Sequence, residues 1–247
     1  MARSIPADRF AVVVDAAARV FIAHGYRRTQ VQDVADALGL AKGTLYGYAQ
    51  NKTALFAAAV RYADGHEPLP AVTDLPVPAP ADADVAALVA GRLGAEIADL
   101  RLHGALAEPA HGTADTDPDE LGGIVTDLYQ RLARHRVAIK LVDRCAPELP
   151  DLAEIWFGTG RRAQVDALAE YLTRRADTGA IALPGPATLL ARTIVELVTL
   201  WAVHRHFDPA PPTTGAADPA ADDATVTAML AALLNRATAP ASPHRSR

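Results

Sequence analysis

One window of eighteen residues, Val31 to Tyr48, constrains this chain more than any other. It reads VQDVADALGLAKGTLYGY. Two short helices can cross closely only if one presents a small residue at the crossing. The chain between them must turn tightly, which favours glycine, and apolar side chains must meet across the join. Ala35 is the small residue, Gly39 the turn, and Val34, Leu38, Leu40, Leu45 and Tyr48 the inward apolar set. Thr29-Gln-Val-Gln32 reads as a capping box that opens the first helix. A second, short helix is expected from about Lys42 to Tyr48. An ordinary helical hairpin meets some of these needs, but the agreement of cap, spacing and turn favours a helix-turn-helix of the DNA-reading kind.

The flanking sequence supplies the rest of a small helical head. Residues 8–24 carry Phe10, Val13, Val14, Ala17, Val20 and Phe21 at helical spacing, and Gly25 stops that helix. Asn51 can cap a further helix bearing Leu55, Phe56, Ala59 and Val60, which Gly65 ends. Composition then changes. Pro68, Pro70, Pro76, Pro78 and Pro80 fall within Glu67–Ala81 and predict an extended connection. Beyond it, helices are expected over about 82–107, 118–146, 151–177, 185–207 and 223–237. Pro118 is expected in a first helical turn. Residues 208–221 read as a loop and 238–247 as a flexible tail. The expected fold is therefore all-α. A helix-turn-helix head spans 1–66, a proline-rich linker 67–81, and a larger helical domain for ligand binding and dimerisation 82–237.

Charge divides the same way. Residues 1–66 hold eight Lys/Arg and five Asp/Glu, net +3, and the remainder is net −8. Only the head suits a polyanion, although +3 alone is equally a chance fluctuation. The single cysteine, Cys145, excludes an internal disulfide framework and fits a reducing compartment. MARSIPADRF has no apolar signal core, and Arg192 and Glu196 interrupt the apolar run Leu183–Phe207. A cytoplasmic setting without a membrane span is the expectation.

Three sequence features imitate chemistry that the chain does not support. Gly158-Thr-Gly-Arg-Arg-Ala163 matches a loose dinucleotide pattern, but Leu152, Ile155, Trp156, Thr159 and Ala163 keep helical spacing and no βαβ unit surrounds them. In Gly39-Leu-Ala-Lys-Gly-Thr44 the lysine precedes the glycine, whereas a phosphate loop needs it after. His204 and His206 lie two residues apart, so on a helix they face different directions and make a poor metal pair. No nucleophile–base set is apparent either. The chain is not expected to be an enzyme or to carry a cofactor.

Residues 9–55 resemble the DNA-binding domain of the TetR family of bacterial transcriptional regulators. The matching text is AAARVFIAHGYRRTQVQDVADALGLAKGTLYGYAQNKTALF, against a family pattern of AA..LF...G...T....IA...G.S.GTLY..F..K..L. Three departures stand out. Ala41 replaces the usual Ser cap, Ala49 replaces the usual Phe, and the proline-rich connection is longer than usual. With two glycines besides, the recognition helix is expected to be poorly ordered without DNA.

By chemistry and position, Lys42, Gly43 and Thr44 open the recognition helix. Gly43 allows close approach to base edges, and Tyr46 presents a phenol to phosphate. Tyr48 packs and reaches phosphate at its rim. Lys52 pairs with phosphate, and Arg27 and Arg28 add general attraction. Thr29 is either a plain cap or a cap that also meets phosphate. The resemblance implies a homodimer on a palindromic operator, formed through about 185–207 and 223–237. Leu189, Leu190, Ile194, Leu197, Val198, Trp201, Met229, Leu230, Leu233 and Leu234 suit that surface, or core packing, or both. The resemblance also implies an unidentified small-molecule ligand whose binding releases a repressor from DNA. Tyr129, Trp156, Gln164 and Trp201 are candidate lining residues, each with core packing as the alternative. Control by a protein partner, or action as an activator, is the competing reading.

Overall fold

A computed structural model describes residues 9–80, 82–98, 100–107, 117, 119–208 and 219–240. These residues form helices and turns, and the described part is all-α, with one isolated bridge between Ala49 and Val77. Twelve α-helices are described: α1 (Arg9–His24), α2 (Val31–Ala37), α3 (Lys42–Leu45), α4 (Lys52–Tyr62), α5 (Asp82–Ala98), α6 (Arg101–Ala107), α7 (Glu120–Arg134), α8 (Arg136–Cys145), α9 (Pro150–Ala153), α10 (Arg161–Asp177), α11 (Ala187–Ala202) and α12 (Pro219–Ala237). They divide into two compact units. The first comprises the chain up to Arg92 together with His135–Thr159, and the second Leu93–Arg134 together with the chain from Gly160 on.

The first unit is built on α1. Its inward face, Phe10, Val13, Val14, Ala17 and Phe21, is buried, as the 3.6-residue period requires. Phe21, Tyr26 and Phe56 form a ring cluster with centroids 5.2–5.9 Å apart, which ties the α1–α2 turn to α4. Gly25 ends α1 at φ +82°, where a Cβ would meet the movable tips of the Glu148 and Arg144 side chains. The positive φ is what favours glycine at this place.

Two carboxylates, Asp64 and Glu148, lock α8 and the turn after it into the same unit, and Arg92 closes the end of α4. Asp64 accepts from the Val137 and Ala138 amides at 2.9 and 3.0 Å, capping α8. Glu148 accepts from the Arg27 amide and pairs with Arg144. Arg92 covers the end of α4 by donating to the Val60 and Arg61 carbonyls, at 2.6 and 3.1 Å.

In the second unit, α7 packs against α11 and α12, and α10 against α6 and α11. Gly122 permits close approach of α12, since a Cβ would sit 3.3 Å from the Ala231 Cβ. A buried ion pair holds α10 to the start of α7. Arg175 donates to both oxygens of Glu120, at 2.7 and 2.8 Å, and the Tyr171 hydroxyl donates to Glu120 Oε2 at 2.8 Å. Burial beside that carboxylate pushes the Tyr171 phenol well above its ordinary range.

Several helix limits differ from the sequence expectation. The Thr29–Gln32 capping box is not formed. The N-cap is Gln30, whose amide donates to Asp33 Oδ2 at 2.7 Å. The second helix of the motif is regular only over Lys42–Leu45 and continues as a turn through Tyr48. The helix expected over 82–107 is two helices. The one over 118–146 breaks at His135, where Asp64 caps a new start. The one over 151–177 contains a π-helical run, Glu154–Gly160, around the two glycines of the dinucleotide decoy. Helix α11 ends at Ala202, and His204–Phe207 form a 3₁₀ turn. Helix α12 begins earlier, at Pro219. Pro118, most of the 208–221 loop and residues 241–247 lie outside the described residues. Thr238, the first residue of the expected tail, is buried, and its carbonyl accepts from the Ala182 amide at 2.8 Å.

Candidate nucleic-acid interface

The helix-turn-helix forms as its spacing predicts. Val34, Ala35 and Leu45 are fully buried, Tyr48 nearly so, and Gly39 turns the chain at φ +62°. Leu38 and Leu40, expected to be buried, are only half-buried. The Leu40 amide still closes the turn by donating to the Ala35 carbonyl at 2.9 Å. With its apolar side committed to the core, α3 presents the opposite side to solvent. Lys42, Gly43, Thr44 and Tyr46 are all exposed, Tyr46 at 42 %. Nothing lies within 4 Å of where a Gly43 Cβ would stand, so the backbone is bare at that point. This short face offers an ammonium, a hydroxyl and a phenol around an open stretch of main chain, which suits entry into a major groove.

The other three sequence-predicted residues face inward. The Thr29 side chain is buried and its hydroxyl donates to the Gly25 carbonyl at 2.7 Å, so it braces the α1–α2 turn rather than capping α2. Tyr48 is core. Lys52 is half-buried. Its ammonium donates to the Tyr26 and Arg27 carbonyls at 2.9 and 3.4 Å and lies 4.5 Å from the Tyr26 ring centroid, which clamps the same turn. Arg27 and Arg28 are exposed beside it. Asn51 caps α4 as expected, its side chain accepting from the Ala54 amide at 2.9 Å. Sequence reasoning missed Gln50. It is exposed at the end of the recognition turn, and its Oε1 accepts from the Ala79 amide at 3.0 Å. No local pattern announces a bond across twenty-nine residues.

In the second unit, Leu100, Leu102, Ile124, Val125, Leu128, Gln164, Leu168, Ile194 and Val195 surround a small cavity. Gln164 is the one predicted residue among them. Tyr129 is buried elsewhere, its hydroxyl donating to Asp223 at 2.8 Å. Trp201 stacks under Arg205, 5.8 Å from ring centroid to guanidinium. Trp156 belongs to the first unit, where its indole donates to Asp143 at 3.0 Å. Among the described residues no group of three His, Cys, Asp or Glu is gathered to hold a metal ion. The buried Cys145 thiol is pushed up to about 12, mainly by desolvation, which makes it a poor nucleophile.

Residues 13–59 match the family described as bacterial regulatory proteins of the tetR family. Among curated protein sequences none matches the chain. Solved structures that share the fold include two tetR-type regulators. The ketosteroid transcriptional regulator KstR2 of Mycobacterium tuberculosis superposes with a TM-score of 0.57 at 17 % identity, over 97 % of this chain and 99 % of that one. A tetR-family regulatory protein from Rhodococcus RHA1 superposes with a TM-score of 0.50 at 17 % identity, over 95 % and 99 %. The family and these structures are transcriptional regulators rather than enzymes. Residues 13–59, which hold the helix-turn-helix described above, thus match the tetR family of bacterial regulatory proteins, and the described fold is one that tetR-family regulators share.

Proposed function

We propose that the protein is a homodimeric repressor that reads a palindromic operator and leaves it when a small molecule binds the second unit. The observation that carries the DNA half is the division of labour in the motif, with Lys42, Gly43, Thr44 and Tyr46 exposed over buried Val34, Ala35, Leu45 and Tyr48. Lys42, Thr44 and Tyr46 make the contacts and Gly43 lets the backbone come close. Thr29, Tyr48 and Lys52 hold the platform, and Lys52 keeps a third N–H for backbone phosphate. Two heads are needed because one offers little area, and a two-fold dimer matches a palindrome. Support for the dimer lies on α11 and α12, which leave Leu189, Leu200, Met229 and Leu233 between 45 % and 62 % exposed. Such a regulator works on chromosomal DNA, in the cytoplasm.

The cavity favours an uncharged, largely hydrocarbon ligand, since eight of its nine lining residues are aliphatic and Gln164 alone can hydrogen-bond. Its volume of about 10 Å³ is the room of a single water, so a ligand must part the helices to enter. That coupling would be reciprocal: operator DNA would weaken ligand binding by the same factor. The tightness also favours a second reading, in which a protein partner rather than a small molecule controls the second unit. The test is a duplex selected from a random library by the intact protein. Lys42→Ala with Tyr46→Ala is expected to abolish preference for it, and equal binding by both proteins sinks the assignment. Apolar compounds that bind the free protein yet leave the DNA complex intact would favour the partner reading.

A further inference from the structure

The recognition helix is weakest at its two ends. Ala41 provides no side-chain cap, and after Leu45 the chain runs on as a turn to a buried Ala49. The proline-rich segment lies against that second end. The Val77 amide donates to the Tyr48 carbonyl at 2.9 Å, and the Gln50 amide to the Val77 carbonyl at 3.1 Å. The two bonds make a parallel bridge between residues 49 and 77. Gln50 Oε1 accepts a third bond from the Ala79 amide, at 3.0 Å.

The sequence of the segment fits this edge. In extended chain, N–H groups alternate between the two sides, so residues 77 and 79 point one way and 76, 78 and 80 the other. The first pair, Val77 and Ala79, donate to the recognition turn. The second set is Pro76, Pro78 and Pro80, which have no N–H to donate. Proline thus sits only where a donor would face away from the partner, the arrangement expected of an edge strand. The only charges in 67–80 are Glu67 and Asp74, so the segment itself has no attraction for phosphate.

We infer that residues 76–80 are a latch on the DNA-reading surface, and that through it Gln50 becomes a further DNA-contacting residue. The latch fixes the end of α3 by backbone bonds in place of a large side chain at residue 49. It also orients the Gln50 amide. The Ala79 N–H can meet only the oxygen, so the nitrogen, with two donors, is the end that an exposed side chain offers to a nucleic-acid acceptor.

The test uses the full chain, a duplex selected by the wild type from a random library, and an unrelated duplex. In the free protein, the amides of Gln50, Val77 and Ala79 should exchange more slowly than those of Val72–Asp74, and equal exchange overturns the latch without any variant or DNA. Val77→Pro removes one donor, and should lower affinity for the selected duplex about tenfold, the worth of roughly one hydrogen bond and the order it imposes. Affinity for the unrelated duplex should change less, and Val77→Ala, which keeps the amide, should bind as wild type. Gln50→Glu keeps an acceptor for Ala79 but loses both donors. It should preserve protection at Ala79 and still cost about tenfold on the selected duplex. Wild-type affinity in Val77→Pro overturns the latch, and wild-type affinity in Gln50→Glu overturns the contact. Failure of the wild type to select any duplex would count against the regulator reading instead, leaving the exchange result standing.

Discussion

The two units spend their apolar residues differently. The first closes on aromatic rings, Phe21, Tyr26 and Phe56, with Phe10 against Tyr62 at 6.0 Å, and leaves a polar face around α3. The second buries mostly aliphatic side chains, its two buried tyrosines, Tyr129 and Tyr171, each bonded to a carboxylate, and leaves leucines uncovered on α11 and α12. Under the function proposed above, the contrast matches a different target to each unit. An exposed polar face suits a charged target such as duplex DNA. An aliphatic cavity and apolar residues exposed on α11 and α12 suit a hydrocarbon ligand and a second copy of the chain.

The largest effects should come from breaking each core at its own device. Phe56→Ala removes the shared ring of the head cluster and is expected to cost about 3–5 kcal/mol, read by denaturant unfolding. Glu120→Ala strands a buried guanidinium in the second unit and should cost about 3–5 kcal/mol. If each variant melted both units equally, the two would unfold as one cooperative body. Alkaline pH separates the units more finely. Cys145 keeps its proton in the folded protein to about 12 while the unfolded thiol loses it near 9. Its contribution is therefore intact below pH 9 and declines above it, by about 1.4 kcal/mol per pH unit until the folded thiol titrates. Cys145→Ala should remove that slope, and an unchanged slope would place the titration elsewhere.

Smaller effects test the surfaces. Leu189→Glu with Leu233→Glu should leave the fold intact and shift sedimentation from dimer to monomer. A dimer that survives both changes would move the interface off α11 and α12. Tyr46→Ala should change stability by less than about 0.5 kcal/mol, as an exposed site allows, while weakening specific DNA binding. The last change is a local gain. Ala41→Ser supplies α3 with the hydroxyl cap it lacks, worth about 1 kcal/mol locally, seen as slower amide exchange at Gly43 and Thr44.

Much of the head was legible because its signals are local. Gly25 and Gly39 take positive φ where the sequence places stops, Asn51 caps α4, and the packing of Val34, Ala35, Leu45 and Tyr48 follows from helical spacing. The site was legible in part. Lys42, Gly43, Thr44 and Tyr46 present themselves, but Thr29 and Lys52 turn inward to carbonyls of the α1–α2 turn, Lys52 to one twenty-six residues away. Spacing along one helix cannot say which acceptors another segment will offer. The same limit explains the long helices expected beyond residue 82. Their apolar period runs through the break at His135, which is set by a carboxylate on Asp64.

By itself the sequence determined the all-α class, the helix-turn-helix and the family of the head, because period, caps and turn residues act over a few neighbours. Tertiary structure decided where the proline-rich segment goes. Proline density foretells an extended chain, but only the meeting of Val77 and Ala79 with Tyr48 and Gln50 makes that chain part of the reading surface. The alternating prolines mark which amides remain free to donate, but a backbone acceptor carries no residue identity, so nothing in the local sequence says which carbonyl they meet.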